Sequence, residues 1–134
     1  VTTLRLREIV LDCPEPRNLA EFYRRLLDWP YEPGHAEWDP DGDDWLVLVA
    51  PDDGPRLAFQ RSAASPPPWS RDSTIGRVHL DVAVERLEDA HDAAVAAGAR
   101  PISGTPEKDG HPADRFRVYA DPAGHPFCLV QDVQ

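Results

Sequence analysis

Three things are scarce in this 134-residue chain, and each scarcity removes a class of function. Cysteine occurs only at Cys13 and Cys128, too few for the disulfide framework that staples small secreted domains. Apolar runs are short. None approaches the roughly 18 residues of a membrane span, and the opening residues VTTLRLREIVLD alternate like a strand rather than forming a signal peptide. Positive charge is outnumbered, 14 Lys and Arg against 24 Asp and Glu, giving a net charge of -10. Such a chain suits neither nucleic acid nor an anionic membrane surface, so neither is expected as a partner. The acidic excess reads as a solubility device. No glycine loop matches a phosphate cradle, and no serine–histidine spacing matches a nucleophile elbow. The default expectation is a cytoplasmic protein.

What remains is ordinary globular material. Apolar residues make up 41% and charged residues 28%, enough for one soluble domain to bury a core. The most informative stretch is Arg115 to Val130, RFRVYADPAGHPFCLV. Phe116, Val118 and Ala120 alternate with Arg117 and Tyr119. Asp121-Pro122-Ala123-Gly124 has the chemistry of a type I turn, and Phe127 and Leu129 mark the outgoing strand.

Upstream, Leu4 to Asp12 alternates as a strand, with Glu8, Val10 and Asp12 on one face and Ile9 and Leu11 on the other. Cys13-Pro14-Glu15-Pro16 breaks it. NLAEFYRRLLDW follows, with Leu19, Phe22, Tyr23, Leu26 and Leu27 at helical spacing until Asp28-Trp29-Pro30 ends the pattern. HAEWDPDGDD reads as a solvated acidic loop; it superficially matches a calcium loop but lacks the terminal Glu. WLVLVA and RLAFQR read as strands around a turn, and SAASPPPWSRDS is linker-like. The order then begins again: strand Gly76 to Val84, a helix marked by Leu87, Ala90, Ala94 and Val95 with Gly98 as its C-cap, a short strand at Arg100 to Ser103, and the hairpin.

Both halves therefore read strand, helix, three strands, and the turns before their last strands match, APDDGPRLAFQ against ADPAGHPFCLV. Half of such a repeat cannot cover its own sheet face, so the expectation is an α+β fold. Two βαβββ modules, about 1–61 and 75–133 joined by linker 62–74, would form one curved, partly open mixed sheet. Its concave side is where a ligand is expected.

Four segments carry a family resemblance: IVLDCPEPRNLAEFYRRLLDW, PRLAFQR, VHLDVAVERLEDAHDAAVAAGAR and FRVYADPAGHPFCLV. Together they resemble the vicinal oxygen chelate superfamily of glyoxalases, bleomycin-resistance proteins and extradiol dioxygenases, and most closely its small glyoxalase-like proteins. The resemblance spans essentially the whole chain. It implies paired modules, a homodimer, a small-molecule ligand, and one divalent metal held by the first and last strands of each module. Zinc, nickel, iron and manganese all stay open.

Carried onto this sequence, the resemblance places His79 at the first-strand ligand position of the second module. Val78 and Leu80 are expected to face the helices, with His79 and Asp81 on the opposite face. Superposing the helices pairs Leu19 and Phe22 with Ala90 and Ala93 and sets Glu8 opposite His79. Superposing the LD pairs sets Val10 there instead. Glu8 is a competent hard-metal ligand, or else a carboxylate answering Arg56 or Arg117 across the sheet. Where the family's last-strand Glu is expected stand Cys128 and Ala58, with Gln60 two residues beyond Ala58. Metal candidates are thus His79, Glu8 and Cys128, with His79 and Glu8 as the candidate catalytic pair. Val10, Asp12, Ala58, Gln60, Asp81, Cys128 and Trp69 are expected to line the ligand. Trp38 and Trp69, in polar loops, suit the cover of a pocket or an interface.

Three functions follow as expectations. The chain binds a small organic molecule with its chemistry unidentified; or it is a metal-dependent lyase, isomerase or dioxygenase-type enzyme using His79 and Glu8; or it sequesters a drug as resistance proteins do. Losing two Glu positions favours binding, whereas keeping polar His79, Asp81, Glu8 and Gln60 favours chemistry.

Overall fold

The structure is a computed structural model that describes residues 3–63, 78–102 and 116–131. Contacts divide the chain into two units, Val1–Ser65 and Pro66–Gln134. Each builds its own mixed sheet and carries one helix, an α+β arrangement. Trp69 and most of the 62–74 linker lie outside the described residues. Among the described residues no helix is long and apolar enough to cross a membrane.

Unit 1 consists of β1 (Glu8–Cys13), α1 (Pro16–Leu27), β2 (Trp45–Leu48) and β3 (Arg56–Arg61), with sheet order β1-β3-β2. β1 runs parallel to β3, and β2 antiparallel to it. Among the described residues two strands rather than the expected three follow α1, and Tyr31 makes an isolated bridge to Leu48. Pro16 opens α1, where its fixed φ fits the first turn and its missing N–H leaves nothing unsatisfied. Asp28 closes the helix in the left-handed conformation before Trp29-Pro30. Leu19, Ala20, Phe22 and Tyr23 form the buried face. Tyr23 stacks on Phe59 of β3 at 5.9 Å between ring centres. Each large side chain so buried contributes about 1.5–3 kcal/mol.

Unit 2 consists of β4 (Leu80–Val84), α2 (Leu87–Ala97), β5 (Arg100–Pro101), β6 (Phe116–Ala120) and β7 (Pro126–Gln131), ordered β4-β7-β6-β5. Its first strand again runs parallel to its last. Gly98, at a φ of 122° that favours glycine, caps α2 by donating its N–H to the carbonyls of Ala94 and Val95. In the hairpin turn the buried Asp121 accepts the N–H groups of Ala123 and His125, while Gly124 takes a φ of 96°. The expected turn chemistry is therefore present, with Asp121 as its internal anchor.

Three expectations need correction. The first strand starts at Glu8 rather than Leu4, since its ladder with β3 begins at Glu8↔Arg56, and Leu4 and Leu6 are exposed. The second unit's first strand starts at Leu80; Val78, expected against the helix, is 82% exposed because it precedes the ladder with β7. The acidic loop is not simply solvated. Asp43 within it is buried and receives both Nε and a terminal nitrogen of Arg17, at 2.8 and 2.7 Å.

Candidate functional site

The strongest cluster of donor atoms lies in unit 2. Parallel pairing of β4 with β7 sets Asp81 directly across from Cys128, and His79 enters just ahead of β4. One ligand atom from each of His79, Asp81 and Cys128 falls within 4.8 Å of the others. His79 Nε2 lies 3.2 Å from Asp81 Oδ1, with both side chains about half exposed. Cys128 is buried. Burial, reinforced by the negative charge of Asp81 and a hydrogen bond to it, pushes its thiol pKa up to about 12. At neutral pH the thiol is therefore protonated, and a metal would have to displace that proton.

The donor set fits a divalent ion. Imidazole nitrogen, carboxylate oxygen and sulfur together suit borderline ions of the zinc type better than magnesium or calcium, which take oxygen shells. Three donors from one unit leave further coordination positions open. Sequence reasoning had assigned His79, Glu8 and Cys128 to a metal and Asp81 only to ligand contact. The register of β4 against β7 adds Asp81 to the set.

Unit 1 presents the corresponding positions with other residues. Two residues (14–15 and 85–86) separate first strand from helix in both units, so Glu8 corresponds to His79 and Val10 to Asp81. Val10 faces Ala58 across the β1–β3 ladder, as Asp81 faces Cys128. This agrees with the helix-based superposition rather than the one on the LD pairs. Ala58 is buried, whereas Val10, Asp12 and Gln60 are exposed, with Asp12 opposite Gln60. Glu8 lies 3.6 Å from its neighbour Arg7. The arginines expected to answer Glu8 are engaged elsewhere, Arg56 with Glu32 and Arg117 with Glu88.

Sequence reasoning missed a second polar assembly in unit 1. Beyond Asp43, Arg17 donates to the carbonyls of His35 and Glu37, and its guanidinium stands 5.0 Å from the centre of the Tyr31 ring. Tyr31 donates to Glu21, which also holds Arg24. Arg24 first, then Tyr31, holds the Glu21 carboxyl down at about 2, against the desolvation that opposes it. The Arg17 hydrogen bond likewise lowers Asp43. Every group here is paired, so the assembly fastens the loop between α1 and β2. A long acidic loop opposite a helix-start Arg was the available signal. In unit 2, His91 Nδ1 meets the Tyr119 hydroxyl at 2.7 Å, a packing role that the sequence gave no sign of.

Residues 8–130 match the profile of the glyoxalase-like domain family. No curated protein matches the chain. Among solved structures, a glyoxalase/bleomycin resistance protein/dioxygenase family enzyme from Burkholderia phytofirmans is similar at a TM-score of 0.69 and 12% identity, covering 97% of this chain and 100% of that one. A glyoxalase/dioxygenase from Nostoc punctiforme gives a TM-score of 0.69 at 17% identity, covering 100% and 99%. A mutant of the fosfomycin resistance protein FosX from Listeria monocytogenes, complexed with Mn(II) and a dihydroxypropylphosphonic acid, gives 0.64 at 12%, covering 96% and 90%. At such identities the likeness establishes the fold.

Proposed function

The chain belongs to the glyoxalase-like domain family of the vicinal oxygen chelate superfamily, and from that premise we propose that it binds a small oxygen-bearing organic molecule through a divalent metal ion held by His79, Asp81 and Cys128. The observation that carries this reading is the convergence of three different donor types within 4.8 Å on one sheet face. When bound, such an ion supplies Lewis acidity toward the oxygens of a chelated ligand.

The chain's own residues do the rest. Asp81 lies close enough to His79 to orient its ring. Buried Cys128 would give up its proton to hold such an ion, so affinity would rise with pH. Glu8 remains the acid–base candidate of unit 1, and exposed Val10, Asp12 and Gln60 are assigned to ligand contact. Ala58 has no donor atom. That gap favours binding over isomerase chemistry, and a methylglyoxal-derived hemithioacetal is expected to be a poor substrate. The family habit and the exposed Trp38 support a homodimer, and two cysteines, too few for a disulfide framework, support a cytoplasmic location. Sedimentation at micromolar concentration tests the former.

The deciding experiment is elemental analysis of protein purified without chelator, repeated after zinc loading. The expected result is one zinc-class ion per chain, lost in His79→Ala. Protein that stays metal-free after loading overturns the assignment.

A further inference from the structure

A cavity in unit 1 has chemistry that the donor cluster of unit 2 lacks. Where the chain approaches β1 and where β2 turns into β3, a cavity of about 50 Å³ is lined by Arg5, Leu6, Arg7, Val49, Asp53 and Arg56. Backbone geometry sets this convergence. The Arg56 N–H donates to the Arg7 carbonyl at 3.0 Å, just beyond the Glu8↔Arg56 end of the β1–β3 ladder. That bond brings residues 5–7 against the turn before β3. The turn itself is tightly made: Asp53 sits at a φ of 61°, and Gly54 donates to Asp52 Oδ1 at 3.1 Å. A Cβ at Gly54 would come within 2.9 Å of that oxygen.

Three of the lining residues are arginines and one is an aspartate, in a chain whose net charge is -10. Two of the three have acidic neighbours: Glu8 is 3.6 Å from Arg7, and Glu32 engages Arg56. Arg5 makes no ion pair among the described residues. Planar guanidinium forks match the oxygens of phosphate and carboxylate groups, two N–H donors at a time. The lining, mostly charged residues, suits a small oxyanion better than an apolar ligand.

We propose that this cavity binds a small tetrahedral oxyanion, inorganic phosphate or the phosphoryl group of an organic phosphate, through Arg5, Arg7 and Arg56. The site is built from residues of unit 1, whereas His79, Asp81 and Cys128 belong to unit 2, and its occupancy does not require a metal.

The test uses the full chain, treated with chelator, titrated with inorganic phosphate and separately with glycerol phosphate at constant ionic strength, and followed by ³¹P NMR and thermal melting. Phosphate is expected to broaden its resonance and raise the melting temperature relative to matched chloride. The double variant Arg5→Ala/Arg7→Ala, at exposed positions that leave the fold intact by circular dichroism, is expected to weaken binding at least fivefold. His79→Ala should bind phosphate as the wild type does. Tighter binding of glycerol phosphate marks an organic phosphate as the ligand, and equal or weaker binding marks the free anion. The proposal is overturned if chloride matches phosphate, if the double variant keeps its affinity, or if His79→Ala abolishes binding.

Discussion

Counted from its helix, unit 1 places Glu8, Val10 and Ala58 where unit 2 places His79, Asp81 and Cys128. The two units share strand order and the parallel pairing of first with last strand, yet their side chains do different things. Unit 1 puts its aromatics on the helix, where Phe22 and Tyr23 pack edge to face at 4.9 Å and Tyr23 lies on Phe59. Unit 2 keeps a light, alanine-rich helix and takes its aromatics from the strands, stacking Tyr119 on Phe127 at 5.4 Å. Unit 1 also commits buried charge to fastening a loop, through Arg17 and Asp43, while the half-exposed His79 and Asp81 of unit 2 keep open faces. A sheet order fixes which positions share a face. Whether that face carries donors or packing is decided residue by residue.

The largest contrast is in the cores. Phe22→Ala should destabilise the protein by about 3–5 kcal/mol, because the buried ring leaves a cavity. Ala93→Gly, at the corresponding exposed position of α2, should cost about 1 kcal/mol from helix propensity alone. Equal shifts in urea denaturation would break the comparison.

Buried and exposed ion pairs should separate next. Asp43→Ala leaves Arg17 desolvated without its carboxylate and should cost about 3 kcal/mol. Glu88→Ala removes the exposed partner of Arg117 and should change stability by less than about 0.5 kcal/mol. Thermal melts of both variants read the difference.

The units should also set opposite limbs of the pH–stability curve. The folded pKa of Cys128 is raised from 9.0 to about 12, so its contribution is full below pH 9 and is lost as pH rises toward 12. The loss is at most about 1.4 kcal/mol per pH unit. The folded pKa of Glu21 is lowered from 4.5 to about 2, so its contribution is present above pH 4.5 and is lost as pH falls toward 2. Solvent screening at this partly exposed site holds it to about 1 kcal/mol. Denaturation across pH should show Cys128→Ala flattening only the alkaline limb and Glu21→Gln only the acid limb.

The smallest effect on stability should carry the sharpest functional signal. His79→Ala should cost less than about 1 kcal/mol, because the side chain is half exposed, yet abolish zinc loading at the proposed site. Glu8→Ala should leave the metal content unchanged, keeping the ion with unit 2. Metal analysis of both variants after zinc loading, beside their melts, checks both expectations.

Much of this was readable from the chain alone, because it rests on short-range physics. Helical spacing marked α1 and α2, Gly98 and Asp121-Pro122-Ala123-Gly124 marked a cap and a turn, and the motifs of four segments carried the family resemblance. Alternation also separated exposed Val10 and Asp12 from half-buried Ile9 and Leu11. What tertiary structure decided is what depends on partners distant in sequence. A strand ends where its ladder ends, so Leu4 to Arg7 fell outside β1 although they alternate as well as the rest. Asp43 is buried in an acidic loop because Arg17, 26 residues away, reaches it; composition cannot register such a pairing. Asp81 joined His79 and Cys128 only when the register of β4 on β7 was set, since a shift of one residue would have turned its side chain to the other face.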